Sequence, residues 1–150
     1  MWRALLLGGL LALTAGCDAG PPRALHGLWS AGPAACAAGV GLEFGEDAIA
    51  AVYGSEREAL FVRPRYHETY TAAGMRVSID YELPQGRGME GRLVLQRGDD
   101  GWLRPVSHQM RNKLTGAVRA PIGEDRTALA LTVRPCAPDA WLAGLRGRGA

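Results

Sequence analysis

Three cysteines, three histidines and the acid pairs Glu46-Asp47 and Asp99-Asp100 are the residues of this 150-residue chain from which chemistry would be built, and their spacing limits what they can do together. Nucleophilic catalysis needs a base within hydrogen-bond reach of the nucleophile and a third group to orient that base. Ser107 and His108 are adjacent, but neighbours in a strand point to opposite faces, which parts them. His26, His67 and His108 are far apart, each in or beside a strand-like run, and read as surface or partly buried residues. Glu46-Asp47 and Asp99-Asp100 stand at turn positions, where solvated acids are expected. Cys36 and Cys136 belong to no Cys-x-x-Cys and have no histidine beside them, which argues against a thiol nucleophile or a metal centre. No Gly-x-Ser-x-Gly elbow, His-Glu-x-x-His, phosphate loop or calcium loop is present in the sequence. The expectation is a chain without a catalytic residue, a metal or a cofactor.

The third cysteine is different. Arg3 and the amino terminus precede an apolar run, Ala4 to Leu13, and small Ala15 and Gly16 stand before Cys17. This is the layout of a cleaved export signal. The apolar run falls short of the ~20 residues that span a bilayer, because Asp18 and Pro21-Pro22 follow. Leu13-Thr14-Ala15-Gly16-Cys17 resembles the lipobox of bacterial lipoproteins, with threonine where leucine is more usual. The resemblance implies that residues 1–16 are removed, that Cys17 becomes the lipidated first residue, and that the protein hangs from an envelope membrane facing the periplasm. An ordinary secretory signal with a chance cysteine is the alternative. Each buried methylene is worth about 0.8 kcal/mol, so several acyl chains hold almost permanently. Residues 17–23 form the tether; Asp18 to Arg23 reach roughly 20 Å at about 3.5 Å per residue, keeping the domain close to the bilayer. Aspartate after the lipidated cysteine resembles an inner-membrane retention signal, with the outer membrane as the other destination.

In such a compartment Cys36 and Cys136 are expected to pair, since disulfides persist there. Closing a loop of about 100 residues is worth up to roughly 4.7 kcal/mol in the chain-entropy treatment. Loss of Arg3 with the signal leaves 16 basic and 15 acidic side chains, a balance that gives no reason to expect nucleic acid.

Residues 24–150 read as one β-rich domain of short segments punctuated by Gly, Pro and Asp. Val77, Ile79, Tyr81 and Leu83 alternate with Arg76, Ser78, Asp80 and Glu82, the period of a strand with one dry face. Leu60, Val62, Tyr66 and Tyr70 alternate with Arg63, Arg65, His67 and Thr69. A hairpin through Thr71-Ala72-Ala73-Gly74 sets Tyr66 opposite Ile79 and Val62 opposite Leu83, with Arg65 facing Asp80 and Arg63 facing Glu82. Pro64 marks a bulge or an edge.

Asp99-Asp100-Gly101 signals a second hairpin, between Gly91–Leu95 and Trp102–Val106, with the chemistry of a tight primed turn. Arg97-Gly98-Asp99 is then part of a turn rather than an adhesion signal. Further strands are expected at Leu25–Ser30, Val40–Phe44, Ala48–Tyr53 and Thr127–Arg134. Pro138 and Asp139 open a short amphipathic helix bearing Trp141, Leu142 and Leu145, with Arg146 and Arg148 beside it. The expected fold is mainly all-β: a small antiparallel barrel or meander of about eight strands with a short C-terminal helix. Gly27-Leu28-Trp29 resembles the Gly-x-Trp that opens the barrel of lipocalins, and implies a tryptophan packed against the barrel floor and an apolar interior able to hold a ligand.

Three functions follow. A lipid-anchored binding module would dock a protein or envelope component, as an inhibitor, immunity factor or assembly accessory does, through loops such as Gly54–Glu58 and Gln85–Gly88. A lipocalin-like carrier would hold a small apolar molecule, and a hydrolase would bring a histidine to a carboxylate or serine. The first fits a small disulfide-closed domain best.

Overall fold

A computed structural model describes residues 20–86, 88–120 and 132–136. Nine strands form a single antiparallel sheet: β1 (Leu28–Ser30), β2 (Val40–Phe44), β3 (Ala48–Tyr53), β4 (Glu56–Thr71), β5 (Gly74–Glu82), β6 (Met89–Arg97), β7 (Leu103–Asn112), β8 (Val118–Arg119) and β9 (Arg134–Pro135). Strands β1 to β8 lie in chain order and β9 pairs on the far side of β1. The all-β meander is therefore present. The ladder does not close into a barrel; a single bridge, Leu103 to Val133, links the start of β7 to the residue before β9. Of the expected Thr127–Arg134 strand, residues 127–131 lie outside the described residues, as do Cys17 and the C-terminal helix.

The dry face of the sheet makes the core. Trp29, Ile49, Ile79 and Leu103 are buried, with Phe44 and Phe61 among them. Leu25 belongs to a 3-10 turn, Arg23–Leu25, instead of the first strand. Gly27 at φ 92° separates turn from strand, in a conformation that favours glycine. Trp29 donates its indole N–H to the Leu25 carbonyl at 3.0 Å and meets Phe44 edge-on. The Arg97 guanidinium lies 5.8 Å from its ring centre, capping it with a cation. A short helix, α1 (Pro33–Ala37), follows β1. Its Pro at the first turn and its alanines are a helix signal that the strand-based reading passes over. Cys36 on α1 is bonded to Cys136, with Cα atoms 5.3 Å apart.

Three irregularities set the register. Tyr66 does face Ile79 and Arg65 does face Asp80, but Val62 faces Glu82 instead of Leu83 because Arg63 and Pro64 are bulged out. Arg63, at φ 51°, is the only non-glycine with positive φ among the described residues. A second shift between Ile49 and Ala50 leaves Leu60 unpaired with β3. These slips reverse the alternation in the first half of β4, so Phe61 is buried while Leu60 and Val62 are only partly covered. Tyr70, placed by its spacing on the dry face, is 76% exposed. A third shift, at Val94/Leu95, faces Leu95 with Pro105 and leaves Val106 extra.

The β6–β7 connection departs from a primed turn. Gly101 N–H bonds the Gly98 carbonyl and Gly98 N–H bonds the Trp102 carbonyl. Only Gly101 in this turn has positive φ, which makes it a three-residue loop closed by a glycine bulge.

Candidate functional site

β4 is longer than either neighbour. Its first part, Glu56–Val62, pairs with β3, and its second part, Val62–Thr71, pairs with β5. Where β3 stops, the second part of β4 runs on with β5 on one side and, among the described residues, no strand on the other. The corner so formed holds a groove of about 840 Å³ lined by residues including Glu46, Asp47, Arg65, His67, Asp80 and Arg92. The β2–β3 turn is fastened to this corner: Arg63 N–H donates to the Asp47 carbonyl at 2.8 Å and the Tyr66 hydroxyl to the Gly45 carbonyl at 2.7 Å. Burial pushes the Tyr66 phenol well above its usual range, so it remains a donor.

Charges at the corner are unequally engaged. Arg92 holds Asp80 through two hydrogen bonds at 2.7 and 2.9 Å. Those bonds, before the more distant fields of Arg65 and Arg111, keep the Asp80 carboxyl below the ordinary range. Glu82 is held low first by Lys113 and also by Arg63, both of which pair with it. Arg65, His67, Glu46 and Asp47 have no ion pair among the described residues. The arginine row thus has a structural task at Arg63, while Arg65 faces an aspartate already occupied by another guanidinium.

Tyr81, His108 and Met110 form a polar thread inside the core. The Tyr81 hydroxyl is hydrogen-bonded to Nε2 of His108 and contacts the Met110 sulfur at 3.5 Å. Phe61 stacks on Tyr81 with ring centres 3.9 Å apart. Gly91 lies beneath, and a Cβ there would overlap the Tyr81 ring. His108 is buried, in contrast to its sequence reading as a surface or partly buried residue, because the extra residue Val106 resets which positions of β7 face inward. His26 and His67 are exposed.

The structure does not bring the three histidines together. Ser107 and His108 differ in burial as opposite faces require. Glu46-Asp47 and Asp99-Asp100 are exposed. Of the two loops singled out for partner contact, Gly54 and Ser55 form the β3–β4 turn, but Glu56, Arg57 and Glu58 are strand residues paired with β3. Gln85 and Gly86 are exposed, and Arg87 lies outside the described residues. Among the described residues no group of three or more His, Cys, Asp or Glu is placed to hold a metal. The edge of β4 that is unpaired among the described residues went unseen in the sequence: it depends on how far β3 reaches, which no local signal encodes. The apolar core leaves a cavity of about 20 Å³ between Leu42, Phe44, Leu60, Phe61 and Leu103.

No family model, no curated protein and no solved structure matches this chain.

Proposed function

We propose that this chain is a bacterial envelope lipoprotein, anchored through lipid on Cys17, whose domain is a non-catalytic binding module for a protein or envelope component. In this reading the open sheet curls toward a barrel, and the Leu103–Val133 bridge is the one place where its two ends meet among the described residues. The observation that carries the module over a carrier is the filled core. A ligand pocket occupies roughly 300–1,000 Å³, whereas the apolar cavity among the described residues has room for about one water. The larger concavity is a polar groove at the surface, beside exposed strand residues, where a partner can reach it. Asp18 favours the inner membrane as the address, and the domain faces the periplasm.

Two measurements test this. Cys17→Ser is expected to release the protein from membranes, and undiminished membrane association refutes the anchor. Capture of the anchored protein from gently solubilised envelopes, with proteins and lipids identified by mass spectrometry, should yield a stoichiometric protein. An apolar molecule recovered without any protein refutes the module.

A further inference from the structure

We infer that the free edge of β4, Tyr66–Thr71, accepts an extended acidic segment of a partner protein as an added strand; the inference rests on the binding-module reading and names its surface. The turn between β4 and β5 has two residues, Ala72 and Ala73, closed by the pair Thr71–Gly74. A closing pair of this kind exchanges its main-chain hydrogen bonds, so alternation along an antiparallel ladder turns Thr69 and His67 toward β5 as well. The N–H and C=O groups of Tyr66, Glu68 and Tyr70 therefore point to the open side. Side chains from His67 to Thr71 are exposed, leaving that edge accessible among the described residues.

Natural sheets guard free edges with charge, proline or bulges. At the other end of β4, Glu56, Arg57 and Glu58 supply charge, and Arg57 is tied to Glu43 at 2.7 Å. At Tyr66–Thr71 the bulge lies before the edge and proline is absent; the one carboxylate there, Glu68, is on the face opposite Arg65 and His67 and accepts from the Tyr70 hydroxyl at 2.6 Å. Arg65 and His67, on one face of the strand, have no ion pair among the described residues, and the groove opens over that face beside them. An added strand with carboxylates at alternate positions would place them against Arg65 and His67 while its main chain bonds Tyr66, Glu68 and Tyr70. Glu46 and Asp47 rim the groove, so the segment must be uncharged or basic where it reaches that turn.

The test uses the full chain in detergent and an end-capped peptide of about seven residues alternating glutamate with valine or threonine, with its lysine counterpart as control. Main-chain bonding of this kind predicts slowed amide exchange at Tyr66, Glu68 and Tyr70. The lysine peptide should bind at least about tenfold more weakly, a charge discrimination of the expected kind. Glu68→Pro removes an outward N–H and leaves the bonds to β5 in place, so it should abolish binding with an unchanged circular dichroism spectrum. Equal binding of both peptides, or binding that survives in folded Glu68→Pro, overturns the inference, as does no binding of the glutamate peptide. Should Glu68→Pro fail to fold, the double variant Arg65→Ser/His67→Ser decides: affinity falls about tenfold if the surface is right and is unchanged if it is wrong. An envelope partner still captured by folded Glu68→Pro overturns the edge while leaving the module reading intact; loss of anchoring in Cys17→Ser leaves peptide binding unaltered.

Discussion

Gly91→Ala should be among the most damaging small substitutions in the core, and the reason can be followed atom by atom. The added methyl would occupy the space of the Tyr81 ring. Tyr81 is only 1% exposed, is stacked by Phe61 and is hydrogen-bonded to buried His108, so it has little room to retreat. Overpacking a well-filled core costs about 1–3 kcal/mol. Displacing Tyr81 also breaks its hydrogen bond to His108 inside the core, a further loss of roughly 1–3 kcal/mol. The two together come to about 2–6 kcal/mol, against a typical total stability of about 5–15 kcal/mol. Urea unfolding followed by tryptophan fluorescence measures the difference through the midpoint at constant slope. A double-mutant cycle isolates the cause: in a Tyr81→Leu background the ring is gone, and Gly91→Ala should cost under about 1 kcal/mol. If the cost of Gly91→Ala is the same in both backgrounds, the steric account is refuted.

Further outcomes follow from other contacts. Reducing Cys36–Cys136, or replacing both by serine, should lower stability by up to about 4.7 kcal/mol, read as a urea midpoint shift between oxidised and reduced protein. Asp100 is held at a pKa of about 2 by the Arg104 guanidinium first and the Trp102 N–H second. Because the folded value lies below the ordinary one, its contribution is present above about pH 4 and is lost as pH falls through about 2. Carboxyl NMR should show that midpoint, and Arg104→Gln should raise it; an unmoved midpoint refutes the pairing. Asp80 and Glu82 are also lowered, so stability should decline on acidification below the ordinary carboxylate range, and less steeply in Asp80→Asn. Arg97→Ala should cost roughly 0.5–2 kcal/mol through loss of its cation–π contact with Trp29, seen as a changed indole emission and a lower unfolding midpoint.

Strand positions were legible where the pattern is local. β2 and β3 have the bounds that their residue types imply, and the dry face of Val77, Ile79 and Tyr81 follows from strict alternation. Pro64 announced a bulge because a proline cannot serve a central ladder. Neither Leu60 nor Val106 carries any such mark, so the slips there leave no trace in the sequence, and Tyr70, read onto the dry face by its spacing, is exposed. His108 is the clearest consequence, since one unpaired residue moved it into the core. The corner groove was illegible for a different reason: its walls, the Gly45–Asp47 turn and the far half of β4, are brought together by Arg63 N–H and the Tyr66 hydroxyl. Those bonds appear only once the register is known.

The Cys36–Cys136 bond also determines how the domain would answer a pull on its amino-terminal end. Between that end and Cys36 lie the Arg23–Leu25 turn and β1, a three-residue strand held by β2 and β9. Force entering there unzips this short stretch first, withdrawing Trp29 from the core. At Cys36 the load passes through the sulfur bridge to Cys136. The strands between the two cysteines, β2 through β9, lie within one covalent loop, and they are off the line of tension when the opposing pull acts beyond Cys136. Peeling between the two ends of the chain therefore has a stop built into it: it can uncover Trp29 but cannot lengthen the chain between Cys36 and Cys136 while the sulfur bridge holds.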